Sequence, residues 1–94
     1  MTKNEIKQAV IVELQRVQSI SGRVCAPIDD STRPLLDLEG FDSLNGFEAT
    51  TELEKVLGKL GIDSVFISET GKSARTVGTI VNEIHALRAK QGAA

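Results

Sequence analysis

Tryptophan and tyrosine are absent from this 94-residue chain, and phenylalanine occurs three times, as Phe41, Phe47 and Phe66. Aliphatic side chains therefore have to supply the packing, a composition suited to helices packed on helices. A single cysteine, Cys25, excludes a disulfide within the chain and leaves a cysteine-based metal site without its ligands, so a reduced, partly buried thiol is expected. Long hydrophobic runs are missing as well. No uninterrupted apolar stretch approaches the ~20 residues of a membrane span, and the N-terminal MTKNEIKQ lacks the apolar core of a signal peptide. No membrane span and a cytoplasmic location are the expectations.

The formal net charge of −2 conceals a polarity. Residues 29–54 hold Asp29, Asp30, Asp37, Glu39, Asp42, Glu48, Glu52 and Glu54 against Arg33 alone, and the rest of the chain carries an excess of base. Such an acidic pole repels nucleic acid phosphates and attracts basic protein surfaces over about one Debye length, roughly 8–10 Å. Nucleic acid is thereby excluded as an expected partner. On charge alone, a solvated acidic face with no partner accounts for the pattern equally well.

Apolar periodicity organises the chain into one helical domain over residues 1–90, with 91–94 as a flexible tail. Thr2 or Asn4 can cap a first helix over 3–18, in which Ile6, Ala9, Val10, Glu13, Leu14 and Val17 form one stripe. The stretch SISGRVCAPIDDSTRPLLDLEG then carries Gly22, Pro27 and Pro34 at a spacing that forbids a long helix. A long loop is predicted there, pinned to the core by Val24, Ile28, Leu35, Leu36 and Leu38. A second helix starts near Ser43, capped by Asp42 or Ser43. Its core side is predicted to hold Phe47, Thr50, Leu53, Leu57 and Leu60, and its exposed side Leu44, Glu48, Thr51, Glu52, Lys55 and Lys59. Gly58 and Gly61 favour a stop, IDSVFIS is either extended or a short helical turn, and Thr76 caps a final helix with the stripe Val77, Ile80, Val81, Ile84 and Leu87. The fold class is all-α: a small four-helix bundle with a long first loop and a short irregular third element.

Motifs for catalysis are scarce. GKS at Gly71–Ser73 has Phe66 where a phosphate loop needs its first glycine. His85 has no second histidine or cysteine for a metal and reads as a surface residue, and Cys25 has no identifiable base. No catalytic constellation and no metal site are expected.

Ser43 is the residue where chemistry and position converge. A serine at a helix N-terminus sits beside unpaired N–H groups and the positive end of the macrodipole, which favour a phosphate ester there. Serine and aspartate are also the ordinary capping residues, so position alone leaves a cap as the plainer reading. The stretch GFDSLNGFEATTELEKVLG (Gly40 to Gly58), however, resembles the G-x-D-S-L segment of acyl carrier proteins, and ARTVGTIVNEI resembles the ending of that family. The order of elements follows the family over most of the chain.

The resemblance implies that Ser43 carries a covalent 4′-phosphopantetheine arm taken from coenzyme A, and that the chain is the substrate of a phosphopantetheinyl transferase rather than an enzyme. Acyl groups would be held as thioesters at the end of the arm. Asp42 and Leu44 are the motif neighbours, and Leu44, Glu48, Thr51 and Lys55 would meet acyl-loading and acyl-processing enzymes through their basic patches, with a monomer expected. Any Mg²⁺ belongs to the transferase complex.

Three departures mark this chain. Asn45 and Gly46 follow the D-S-L segment where fatty-acid carriers usually place an acid, Lys55 and Lys59 enter the exposed face, and the segment around KLGIDSVF is long. A specialised fatty-acid, lipid or polyketide-type pathway is the expectation, with Phe47 filling the core and leaving little room for a long acyl chain. The competing readings are an unmodified bundle acting as a protein-interaction adaptor, and a peptidyl or aminoacyl carrier.

Overall fold

The computed structural model describes residues 2–68 and 73–92. Four helices occur among them: α1 (Lys3–Ile20), α2 (Pro34–Asp37), α3 (Ser43–Leu57) and α4 (Val77–Gly92). No strand is present among the described residues, and a single antiparallel bridge joins Ile67 to Ala74. The all-α expectation holds at this level. α2 is only four residues long, so three helices carry the architecture.

α1 starts with a capping box. The Glu5 N–H donates to Thr2 Oγ1 at 3.2 Å and the Thr2 N–H donates to Glu5 Oε1 at 2.8 Å, so two of the otherwise unpaired N-terminal donors are satisfied. Ile6, Val10, Leu14 and Val17 then recur at helical spacing and are all buried, each worth about 1.5–3 kcal/mol on removal from water. α1 packs against both α3 and α4. α4 is held at its start by the long loop, because the Val77 N–H donates to the Thr32 carbonyl at 2.8 Å and the Gly78 N–H to the Asp30 carbonyl at 3.0 Å. Thr76 supplies the cap expected of it, its Oγ1 accepting the Thr79 N–H at 3.2 Å.

The long loop differs from expectation in which residues anchor it. Leu38 is buried and Ile28 and Leu35 pack against the core, but Val24 and Leu36 stand in water. Pro34 pre-sets the first residue of α2, and that single turn rotates Leu36 outward while Pro34 and Leu38 face inward. Cys25 is free and half-buried.

α3 shows the main correction. Its buried residues are Gly46, Ala49, Thr50, Leu53 and Leu57, whereas Phe47, expected in the core, lies on the surface at 44% exposure. The reason is the close approach of the irregular segment 64–66. A Cβ at Gly46 would lie 3.2 Å from Ser64 Oγ, tight enough that the serine would have to give by a few tenths of an ångström, and in ordinary contact with Phe66 at 3.6 Å, so glycine lets that segment settle against the first turn of α3 unshifted. With Gly46 facing inward, Phe47 is turned ~100° away. Phe66 takes the core position instead, fully buried and edge-on to Phe41 with ring centroids 5.4 Å apart.

Residues 62–68, expected as either an extended stretch or a helical turn, form a series of bends leading into the bridge at Ile67. Thr50 ties them to α3: its hydroxyl donates to the Gly46 carbonyl at 2.7 Å and accepts the Val65 N–H at 3.1 Å. α3 ends at Gly58 as expected, Leu60 is buried beyond the helix, and Glu54 Oε2 accepts the Leu60 N–H at 2.8 Å. The Arg88 guanidinium of α4 donates to the Leu57 carbonyl, closing the C-terminal end of α3. α4 runs to Gly92, into the segment read as a tail; Ala93, Ala94 and most of the GKS stretch lie outside the described residues.

Thr50→Val keeps the volume but leaves the buried Val65 N–H without an acceptor. A loss of about 1–3 kcal/mol is expected, measured by urea denaturation against the parent chain.

Candidate functional site

Asp42, not Ser43, caps α3. The Asn45 N–H donates to Asp42 Oδ1 at 3.0 Å, and Asn45 Oδ1 accepts the Asp42 N–H at 3.3 Å, a reciprocal capping box. This finding gives Asn45, a departure from the resembled family, a structural role. Ser43 is consequently the first helical residue, exposed, with no hydrogen bond from its hydroxyl to any described residue. The Ser43 and Leu44 N–H groups are likewise unpaired among the described residues and point along the positive end of the macrodipole. An exposed hydroxyl beside two free amide donors suits a phosphodiester on Ser43 Oγ.

The approach to Ser43 is held from α1. Gln18, fully buried near the end of that helix, donates through Nε2 to the Glu39 carbonyl at 2.8 Å. Arg23 bridges the same pair, its Nη1 lying 3.3 Å from Gln18 Oε1 and 3.4 Å from the Glu39 carbonyl oxygen. Gly40 follows with φ of 68° and its Cα against the Arg23 guanidinium, a conformation and a contact that a side chain would oppose. Neither Gln18 nor Arg23 was legible as a site residue, because a clamp across 21 positions leaves no local spacing signal.

The four docking candidates fall on one exposed stripe of α3. Leu44 is 61% exposed, and Glu48, Thr51 and Lys55 are exposed beside it. Phe47 joins them, three residues after Leu44 and four before Thr51, whose Oγ1 donates to the Phe47 carbonyl at 3.1 Å. Lys55 does not stand free: it pairs with Glu52 at 2.9 Å, and its hydrogen bond holds the Glu52 carboxyl below the ordinary carboxylate range. Across from this stripe, Arg16 of α1 donates two hydrogen bonds to Glu13, at 2.9 and 2.7 Å. Those bonds, with attraction from Glu52 and Glu48, raise the Arg16 pKa above its ordinary value.

Comparison with family models, curated proteins and solved structures finds no match. Among the described residues no three His, Cys, Asp or Glu side chains gather as metal ligands, and no described helix is long and apolar enough to cross a membrane. His85 is half-buried on α4.

Because the cap belongs to Asp42, the two neighbouring substitutions separate cleanly. Asp42→Ala is expected to cost about 0.5–2 kcal/mol, whereas Ser43→Ala should change stability by less than about 0.5 kcal/mol, both read from urea midpoints. Equal losses would return Ser43 to a capping role.

Proposed function

We propose that the chain is an acyl carrier protein that bears a 4′-phosphopantetheine arm on Ser43. The observation that carries the reading is the exposed Ser43 hydroxyl, unpaired at the start of α3 while Asp42 and Asn45 complete the cap. Beside it stands the resemblance of Gly40 to Leu44, and of the final helix, to that family. In the attachment step Ser43 Oγ bonds to the pantetheine-bearing phosphorus of coenzyme A. The bond from that phosphorus to the remaining adenosine bisphosphate breaks, and the hydroxyl proton passes to a base of the transferase. The protein contributes the nucleophile, its position and the two free amide donors.

The arm's terminal thiol holds acyl groups as thioesters, and a docked carrier then delivers its cargo in an effectively intramolecular step. Leu44, Phe47, Glu48 and Thr51 offer an apolar and acidic docking stripe. Lys55 places positive charge on that stripe, which supports service to dedicated partners in a specialised fatty-acid, lipid or polyketide-type pathway.

Two measurements follow. Incubation with coenzyme A, Mg²⁺ and a broad-specificity phosphopantetheinyl transferase should add the mass of one phosphopantetheinyl group to the parent chain and none to Ser43→Ala. An unchanged parent mass with several such transferases would favour the unmodified adaptor. The second concerns cargo. Phe41 and Phe66 are buried beneath α3, and Gly46 brings segment 64–66 into contact with the helix, so a long acyl chain entering there would have to displace close-packed side chains. Amide shifts of Phe41, Leu53 and Phe66 should therefore stay constant when a long acyl chain is loaded, and large shifts would show that the core opens for it.

A further inference from the structure

α1 and α3 run antiparallel, and a groove lies between them on a side to which α4 contributes no lining residue. One stretch, about 270 Å³, is bordered by Val12, Leu53 and Val56; the next, about 370 Å³, by Ile20, Glu48 and Thr51, and the two share Glu52. The rims are set by sequence spacing: Val12, Arg16 and Ile20 on α1, and Glu48, Glu52 and Val56 on α3, each four residues apart and hence on one face of its helix. Val12 and Val56 border one end from opposite helices at 60% and 66% exposure, and Ile20 stands at the other end at 70%. Eight residues of helix separate Val12 from Ile20, about 12 Å.

Scattered apolar residues on a surface are ordinary, but here they mark both ends of a groove with charge between them. That charge is unbalanced. Arg16 is bonded to Glu13 and also attracted by Glu48 and Glu52, yet the carboxylates of Glu13, Glu48 and Glu52 outnumber it along the groove; Lys55 is bonded to Glu52, and Glu48 has no ion-pair partner among the described residues. A matching occupant therefore brings two apolar side chains about two helical turns apart and a basic side chain between them. A second copy of this chain matches poorly, since it would set Glu13, Glu48 and Glu52 against their own equivalents. An anionic lipid surface is opposed by the same carboxylates.

We propose that the α1/α3 groove seats a basic amphipathic helix of a partner protein, with apolar anchors against the Val12/Val56 and Ile20 ends and a lysine or arginine on Glu48. The site shares Glu48 and Thr51 with the α3 docking stripe but needs no group on Ser43. It adds α1 to a recognition surface otherwise confined to α3, so a partner can grip the chain along its side while the start of α3 stays accessible.

The test titrates the isotope-labelled chain with a stapled helical peptide that carries two leucines about two turns apart and arginines between them, alongside a control peptide with glutamates in place of the arginines. Saturable amide shifts centred on Val12, Ile20, Glu48 and Val56 are expected with the arginine peptide and not with the control. Val12→Ser combined with Val56→Ser should weaken binding by about tenfold or more, and Glu48→Lys should do the same while favouring the glutamate peptide. All three positions are exposed, and circular dichroism with a urea midpoint verifies that the variants fold. Ser43→Ala should bind as the parent does, which separates this site from the carrier reading. Absent or non-saturating shifts, shifts confined to Leu44 and Phe47, or binding indifferent to the substitutions would overturn the proposal. So would self-association in sedimentation equilibrium that Val12→Ser abolishes, since a second copy would then be the occupant.

Discussion

The apolar stripe of α1 is the constraint on which the other elements depend. With no tryptophan or tyrosine in the chain, stability rests on close packing of aliphatic side chains, and Ile6, Val10, Leu14 and Val17 are the row against which both α3 and α4 are packed. The same helix also orients the irregular parts. Its buried Gln18 takes hold of the Glu39 carbonyl, and the chain reaches Asp42 and Ser43 from a fixed point rather than from a free loop. A polar group buried this completely is costly unless bonded, so the interaction that satisfies Gln18 also locates the start of α3.

The arrangement around Ser43 divides labour between adjacent residues. Asp42 and Asn45 exchange two hydrogen bonds that stabilise the helix start, and the serine is released from structural duty. That division is a physical basis for a residue that can be chemically altered without unfolding its helix. Further along α3, Gly46 and Thr50 work together: the missing side chain admits segment 64–66, and the hydroxyl bonds it there. The result is a core sealed by Phe41 and Phe66, with Phe47 left outside to extend the stripe begun by Leu44.

The phase of α3 shows where sequence reasoning reached its limit. Leu53 and Leu57 were legible as core residues because their spacing agrees with any phase of the helix that buries both. The outward turn of Phe47 was not legible, because hydrophobicity favours phenylalanine over the adjacent glycine as a core residue, and only the segment packed on α3 reveals that the glycine faces inward. Val24 and Leu36 failed as anchors for a related reason: in a loop without periodicity, apolar character does not say which way a side chain turns. The docking candidates Leu44, Glu48, Thr51 and Lys55 were legible as one face, whereas the facing row on α1 that forms the groove was not, since a groove belongs to two helices and appears in neither sequence pattern alone.

Local chemistry was enough to set α1, α3 and α4 with their stops, the acidic pole and the place of Ser43 at a helix start, but not the single turn of α2 within the long loop, because capping, periodicity and glycine stops act within a few residues. Of the two caps open to α3, Asp42 takes the role through a box with Asn45 only three residues away, whereas packing alone decided that Phe66 replaces Phe47 in the core and that α1 and α3 border a common groove. Those outcomes turn on rotamers, on hydrogen bonds across many residues and on which surfaces come together, and such quantities exist only once the chain has packed.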